Sequence, residues 1–165
     1  MTPFWQQLFP ELHHAEQVLS VALRLIAALI VGTVIGLQRE LSHKPAGLRT
    51  HLLVALGSSL LVVSAVYAGM KSGDIARVIQ GLITGIGFLG GGTILKLTQE
   101  HEIRGLTTAA GIWLTAAASV AAGLGEFAAA FIGVLFALIV LTAVGKFGED
   151  RTKSIEGGPS DRHRL

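Results

Sequence analysis

Cysteine is absent from this chain of 165 residues, and charged residues make up only 15% of it. Without a thiol, disulfide bonds, thiol nucleophiles and thiolate metal sites are excluded. A soluble domain usually carries about 25% charged residues, so the low charge argues against a soluble fold. No H-E-x-x-H or Walker A motif occurs in the sequence. We therefore expect the protein not to be an enzyme.

Apolar residues make up 51% of the chain, and they gather in runs long enough to cross a bilayer. This pattern predicts an all-α, polytopic membrane protein with about five transmembrane helices. We place a periplasmic or interfacial segment at 1–17, the five-helix domain at 18–145, and a disordered cytoplasmic tail at 146–165. The predicted helices cover about 18–37, 52–68, 75–97, 106–122 and 127–145.

The distribution of positive charge predicts the orientation of these helices. Most Lys and Arg residues lie in alternate connections and in the tail, whereas the opposite side has only Lys71 and Arg77. The positive-inside rule then places the N-terminus outside and the C-terminus in the cytoplasm. The residues assigned to the cytoplasmic side are Arg39, Lys44, Arg49, Lys96, Arg104, Lys146, Arg151, Lys153, Arg162 and Arg164.

The third helix, read at 78–97, is unusually rich in glycine. At 100° per residue most of its glycines fall on one side with Gln80 and Thr84, and its large apolar residues fall on the other. Small residues let membrane helices approach closely, so we expect this side to pack against other helices. The packing candidates are Gly81, Gly85, Gly87, Gly90, Gly91 and Gly92, the last three of which also mark a point where the helix could bend or unwind.

Two connections on the predicted cytoplasmic side are candidates for a recognition or ion-pair patch. Glu40 could pair with Arg39, Arg49 or Arg104. The alternatives are an ordinary topology signal with exposed ion pairs of little energy, and threonines that only bond their own helix carbonyls. The patch residues are Arg39, Glu40, Lys44, Arg49, Thr50, His51, Arg104, Thr107 and Thr108.

A second candidate set is an ion path through Asp74, Thr84 and Thr93. Asp74 could offer an oxygen to a cation at the outer mouth, or it could simply cap a helix and pair with Arg77. Magnesium prefers carboxylate oxygens, and no carboxylate lies well inside any predicted helix, which argues against a dehydrating site there. Arg24 lies inside the first helix, where an arginine either extends to the interface or has a functional role.

Four ordered motifs resemble the MgtC/SapB family. They are REL at 39–41, KPAGLRTH at 44–51, GIGFLGGG at 85–92 and RGLTTAA at 104–110, with Trp113 following. The resemblance implies a multi-pass protein of the bacterial inner membrane, associated with magnesium homeostasis, stress adaptation and, in some members, virulence. Many members carry a soluble domain after the last helix, and we expect this chain to be a short form without it.

The resemblance implies two functions. The first is regulation of a membrane partner such as ATP synthase through helix contacts, and the alternative is transport of Mg²⁺ or another ion. We expect the lipid bilayer as the environment, a membrane protein or a second copy as candidate partner, and no nucleic acid. No cofactor is expected, and Mg²⁺ is the candidate if an ion is bound.

Overall fold

The computed structural model describes residues 15–97 and 102–144. The predicted interfacial segment lies almost entirely outside the described residues, and so does the tail at 146–165. Within them the chain forms five α-helices and one short hairpin. The elements are α1 (Ala15–Leu41), α2 (Leu48–Tyr67), α3 (Ser72–Gly91), β1 (Leu95–Leu97), β2 (Glu102–Arg104), α4 (Leu106–Leu124) and α5 (Phe127–Ile139), which continues as a π-helical turn (Val140–Val144).

The third predicted helix is wrong at its C-terminal end. It stops at Gly91 instead of reaching residue 97, because the run of three glycines weakens the helix there. The hydroxyl of Thr93 donates a hydrogen bond to the Gly90 carbonyl at 2.8 Å. After this turn the chain forms β1, which pairs antiparallel with β2 in the register Leu95 with Arg104.

The start of α3 also differs from the prediction for Asp74. Lys71, not Asp74, is the N-cap residue. Asp74 lies in the first turn, where its Oδ1 is 2.7 Å from Arg77 Nη1. An acidic group in the first turn complements the helix dipole, so this pair stabilises the helix start without capping it.

Helices α1, α2 and α4 form the centre of the molecule, and α4 contacts all the other helices. One buried cluster joins α1, α4 and α5 through small and branched residues such as Ala28, Val31 and Ala122. A second cluster joins α2, α3 and α4 around Val62, Ile86 and Ile112. Helix α3 therefore lies at the edge, and residues 15–97 and 102–144 leave much of its surface uncovered.

The architecture confirms the predicted all-α membrane fold. Among the described residues, α1, α2 and α4 have the length and apolarity needed to cross a bilayer, and the α5 region is a shorter apolar helix. Helix α3 has 20 residues, which rise about 30 Å, but it is not among the described helices that are apolar enough to cross a bilayer, so its transmembrane position stays a prediction. The orientation of the bundle in the membrane stays a prediction.

Candidate functional site

The loop between α1 and α2 holds the N-terminus of α2 through a carboxylate. Glu40 Oε2 accepts a hydrogen bond of 2.7 Å from the backbone N–H of Leu48, the first residue of α2. The turn passes through positive φ at His43 (50°) and Ala46 (56°). A Cβ at Gly47 would lie 2.7 Å from the same Glu40 oxygen, so a larger residue there would shift the end of the Glu40 side chain. Glu40 thus caps α2, and its pairing with Arg39, Arg49 or Arg104 stays a prediction.

Arg39 points into the bundle from the end of α1. It is only 4% exposed, and its Nη2 donates a hydrogen bond of 2.6 Å to Thr108 Oγ1 on α4. Its Nε is buried and has no hydrogen-bond partner in the described part of the chain. A guanidinium in this position is unusual, since buried charges are normally paired with an opposite charge.

His51 is fully buried between α2 and α4. Its Nδ1 lies 2.7 Å from Thr115 Oγ1, which in turn donates a hydrogen bond of 2.9 Å to the Gly111 carbonyl. Which of the two groups donates in the His51–Thr115 bond depends on the tautomer of the imidazole. Nε2 of the same ring is buried and has no hydrogen-bond partner among the described residues.

Buried polar groups continue along the face of α4 beyond this pair. Thr108, Thr115 and Ser119 are spaced by seven and four residues, which places them on one side of the helix. Ser59 of α2 is also buried, and the hydroxyls of Ser59 and Ser119 have no hydrogen-bond partner within residues 15–97 and 102–144. A polar seam therefore runs through the interface of α1, α2 and α4.

The structure divides the predicted patch into two groups. Arg39, His51 and Thr108 are buried in the seam. The remaining members are exposed at the same end of the bundle, which we call the basic end: Glu40, Lys44, Arg49, Thr50, Arg104 and Thr107.

The residues of the predicted ion path are not brought together. Asp74 is paired with Arg77 at the start of α3, and Thr84 is exposed and donates to its own helix at Gln80 O. Thr93 lies beyond the other end of α3. Within the described ranges no group of three His, Asp or Glu side chains could hold a metal ion.

The glycines of α3 are not the ones that bring helices together within this chain. A Cβ at Gly81, Gly85, Gly87 or Gly91 would meet no atom of the described residues within 4 Å. Gly90 faces Ala109 at an ordinary van der Waals distance of 3.6 Å, and Gly92 meets only the carbonyls of Leu89 and Phe88. Packing of this face against another molecule stays a prediction.

Close helix contacts occur at glycines that sequence reasoning missed. A Cβ at Gly32 would lie 2.8 Å from the His51 carbonyl oxygen, and one at Gly36 would lie 2.9 Å from Leu48 Cα. On α4, a Cβ at Gly123 would lie 3.0 Å from Ser59 O. The small residues Ala28, Gly32 and Gly36 recur every four residues, and this spacing could have predicted the close contact from the sequence.

At the opposite end of the bundle, Arg24 bonds the last turn of α4. Its Nη1 donates a hydrogen bond of 2.7 Å to Gly123 O, and its guanidinium carbon lies 5.6 Å from the centre of the Tyr67 ring. A cation at a helix C-terminus complements the dipole, which gives Arg24 a structural role.

Comparison with known proteins identifies similar chains. The family model described as the MgtC family matches residues 25–149. Protein SrpB of Synechococcus elongatus is 41% identical over 135 residues, which cover 75% of this chain and 74% of SrpB. The putative magnesium transporter YhiD of Escherichia coli K12 is 40% identical over 126 residues, covering 72% of this chain and 58% of YhiD.

Two further relatives are longer than the matched region. SapB of Bacillus subtilis is 37% identical over 142 residues, which span 61% of SapB. Protein MgtC of Brucella abortus is 40% identical over 118 residues, which span 48% of that protein. No solved structure matches the chain.

Proposed function

The chain belongs to the MgtC family, and on that premise we propose that it is a non-enzymatic regulator in the bacterial inner membrane. It would serve magnesium homeostasis and stress adaptation by contacting the helices of a membrane partner such as ATP synthase. The observation that carries this proposal is the uncovered glycine face of α3.

One strip of the exposed surface of α3 is poorly suited to lipid, although Ile83, Phe88 and Leu89 are exposed on this helix as well. Gln80, Gly81, Thr84 and Gly85 are exposed on this strip, and nothing in the described part of the chain covers these glycines. A lipid-facing helix surface is normally apolar, because hydrocarbon offers no hydrogen-bond partners. A second helix could approach the backbone at these glycines and bond to Gln80 or Thr84. This chemistry favours a protein partner over lipid.

The exposed members of the predicted patch offer a second contact at the basic end. Arg49 and Thr50 lie on the first turn of α2, and Thr107 lies on the first turn of α4. Charged groups at the rim of an interface mainly affect orientation and the association rate. We expect them to select the partner, while α3 provides the affinity.

The test is a membrane cross-linking assay with Gly85→Leu. A leucine there would separate α3 from a partner helix, so we expect cross-linking to fall at least about tenfold, as for a loss of about 1.4 kcal/mol. Gly133→Leu on α5 is the matched control, because a Cβ at Gly133 would also meet no described atom within 4 Å. Equal cross-linking by Gly85→Leu and the unmodified chain would reject the proposal.

Ion transport is the second candidate, favoured by the similarity to YhiD, which is described as a putative magnesium transporter. Purified protein in liposomes should then carry Mg²⁺ along a gradient, and Asp74→Ala should reduce the flux. Arg77→Gln is the control, since it removes the partner of Asp74 but keeps the carboxylate. Flux equal to that of protein-free liposomes would discard this function.

A further inference from the structure

A cleft lies between α3 and α4 near the middle of the bundle. Its volume is about 130 Å³, and it follows α3 over residues 79–86 and α4 over residues 113–120. The two helices run antiparallel here, since Gly90 at the end of α3 faces Ala109 at the start of α4. Seven residues of each helix rise about 10 Å, so the cleft is elongated along the helix axes.

The cleft has a buried floor and an exposed rim. Both helices contribute buried residues to the floor: Leu82, Ile86, Ala116 and Val120. At the rim, Ile83 and Trp113 are 45% and 48% exposed, and Ala117 between them is exposed as well. The small side chains of α4 opposite the large ones of α3 leave the space, and the exposed rim gives access to it from the surface.

The chemistry of the cleft suits hydrocarbon. Of the eight described residues that line it, only Trp113 has a polar side-chain atom, the indole N–H. Apolar cavities of about 150 Å³ stay dry and bind small hydrocarbons such as benzene. The centre of the cleft lies within about 2 Å of the midpoint of α4, which is long and apolar enough to cross a bilayer. At that depth a bilayer offers acyl chains, and neither headgroups nor water.

We propose that this cleft binds one acyl chain of a membrane phospholipid. The chain lies along the helix axes, with one side on the floor and the other towards the bilayer. It enters sideways, because the cleft is continuous with the exposed apolar surface at Ile83 and Trp113. The bound chain makes the packing contacts that Ala116 and Ala117 are too short to make with α3.

The size of the cleft favours a lipid chain over a helix of another protein. A helix with its side chains is about 10–12 Å across, so 10 Å of its length occupies several times the volume of the cleft. At 100° per residue, the strip of Gln80, Gly81, Thr84 and Gly85 is centred about 180° around α3 from the cleft. The lipid site therefore does not rest on the proposed partner contact, and each can fail without the other.

The experiment places the full chain in vesicles of phosphatidylethanolamine and phosphatidylglycerol. A small fraction of the lipid is a phosphatidylglycerol with a diazirine near the middle of one acyl chain, and mass spectrometry maps the labelled residues after irradiation. We expect labelling of the cleft residues to saturate as the probe fraction rises. Per residue it should exceed the labelling of Ile132 and Leu135, which are exposed on α5, by about fivefold or more.

A substitution at the rim tests whether the cleft itself holds the chain. Ala117→Leu fills the cleft from an exposed position, so cleft labelling should fall about tenfold while α5 labelling stays the same. Ala117→Val should give a smaller loss in the same direction. Ala129→Leu makes the same change on the exposed surface of α5 and is the matched control, which should leave cleft labelling unchanged.

Three results would overturn the proposal. The first is equal labelling per residue in the cleft and on α5 of the unmodified chain, and the second is unchanged cleft labelling in Ala117→Leu. The third concerns a second copy of the chain as the occupant. Because the chain has no cysteine, Ala117→Cys can report it: disulfide dimers that form faster than with Ala129→Cys would assign the cleft to a second copy.

Discussion

Single residues decide how closely the helices of this bundle approach and which polar groups they bury. Gly32 and Gly36 bring α1 onto α2, and Gly123 brings α4 onto α2. The side chains of His51 and Thr115 then meet inside, at 2.7 Å. The effect of a substitution at these positions therefore follows from the distance to the facing backbone and from the hydrogen bonds that are lost.

Replacing Gly32 by Ala should destabilise the protein by about 1–3 kcal/mol, because the added methyl group would lie 2.8 Å from the His51 carbonyl oxygen. Gly57→Ala is the control, since a Cβ there meets nothing and alanine favours a helix. Thermal unfolding in detergent should show a lower Tm for Gly32→Ala only. A Tm that is unchanged or higher would contradict the observed contact between α1 and α2.

Thr115→Val should cost about 1–3 kcal/mol, because it leaves Nδ1 of His51 buried without its hydrogen-bond partner. The shapes of the two side chains are nearly equal, so the loss would report the hydrogen bond and not the packing. Thr84→Val serves as the control, because Thr84 is exposed and bonds only its own helix. Similar Tm values for the two variants would show that the His51–Thr115 bond contributes little.

Among the secondary-structure elements, α4 is bound at both ends by arginines of α1. Arg39 bonds Thr108 near its start, and Arg24 bonds Gly123 near its end. The second contact complements the helix dipole and the first opposes it. The two arginines of α1 therefore differ in their electrostatic effect on α4: Arg24 is favourable at its C-terminus, and Arg39 is unfavourable at its N-terminus.

Arg24→Gln should lower stability by about 0.5–1.5 kcal/mol, since it weakens the hydrogen bond to Gly123 and the contact with Tyr67. Arg77→Gln, at the exposed ion pair with Asp74, should have an effect close to zero. Unfolding in detergent measures both. A larger loss in Arg77→Gln than in Arg24→Gln would contradict the structural role assigned to Arg24.

The number and order of the helices could be predicted from the sequence, but part of the site could not. Long apolar runs separated by basic or glycine-containing turns predict helices well, and α4 begins at Leu106 as expected. The end of α3 at Gly91 was missed because the apolar residues Ile94, Leu95 and Leu97 continue the hydropathy signal beyond the glycines. Periodicity detects apolar faces, and it cannot distinguish a helix end from a strand that follows it.

The burial of Arg39 and His51 could not be predicted either. Both lie among charged residues in the sequence, which is the pattern of an exposed loop, yet both belong to helix ends that turn inward. Their contacts to Thr108 and Thr115 join residues 69 and 64 positions apart. Such pairings depend on the arrangement of α1, α2 and α4, which a single sequence does not contain.

For the whole molecule, the orientation in the membrane is the property on which the proposed roles depend. Because the chain has no cysteine, single cysteines can report it without background. Ser42→Cys, between α1 and α2, should react with an impermeant thiol reagent only after the inner membrane is opened. Met70→Cys, between α2 and α3, should react in intact cells. The reverse pattern would place the basic end outside and remove the proposed contact with a cytoplasmic partner surface.

The pair of bonds between α1 and α4 limits the motions that are open to this bundle. Fifteen residues separate Arg24 from Arg39, and fifteen separate Thr108 from Gly123, so the two antiparallel helices keep one axial register over about 22 Å. A piston-like displacement of α4 along α1 would break both bonds together. We therefore expect any rearrangement of the bundle to keep the register of α1 and α4 and to move the peripheral α3.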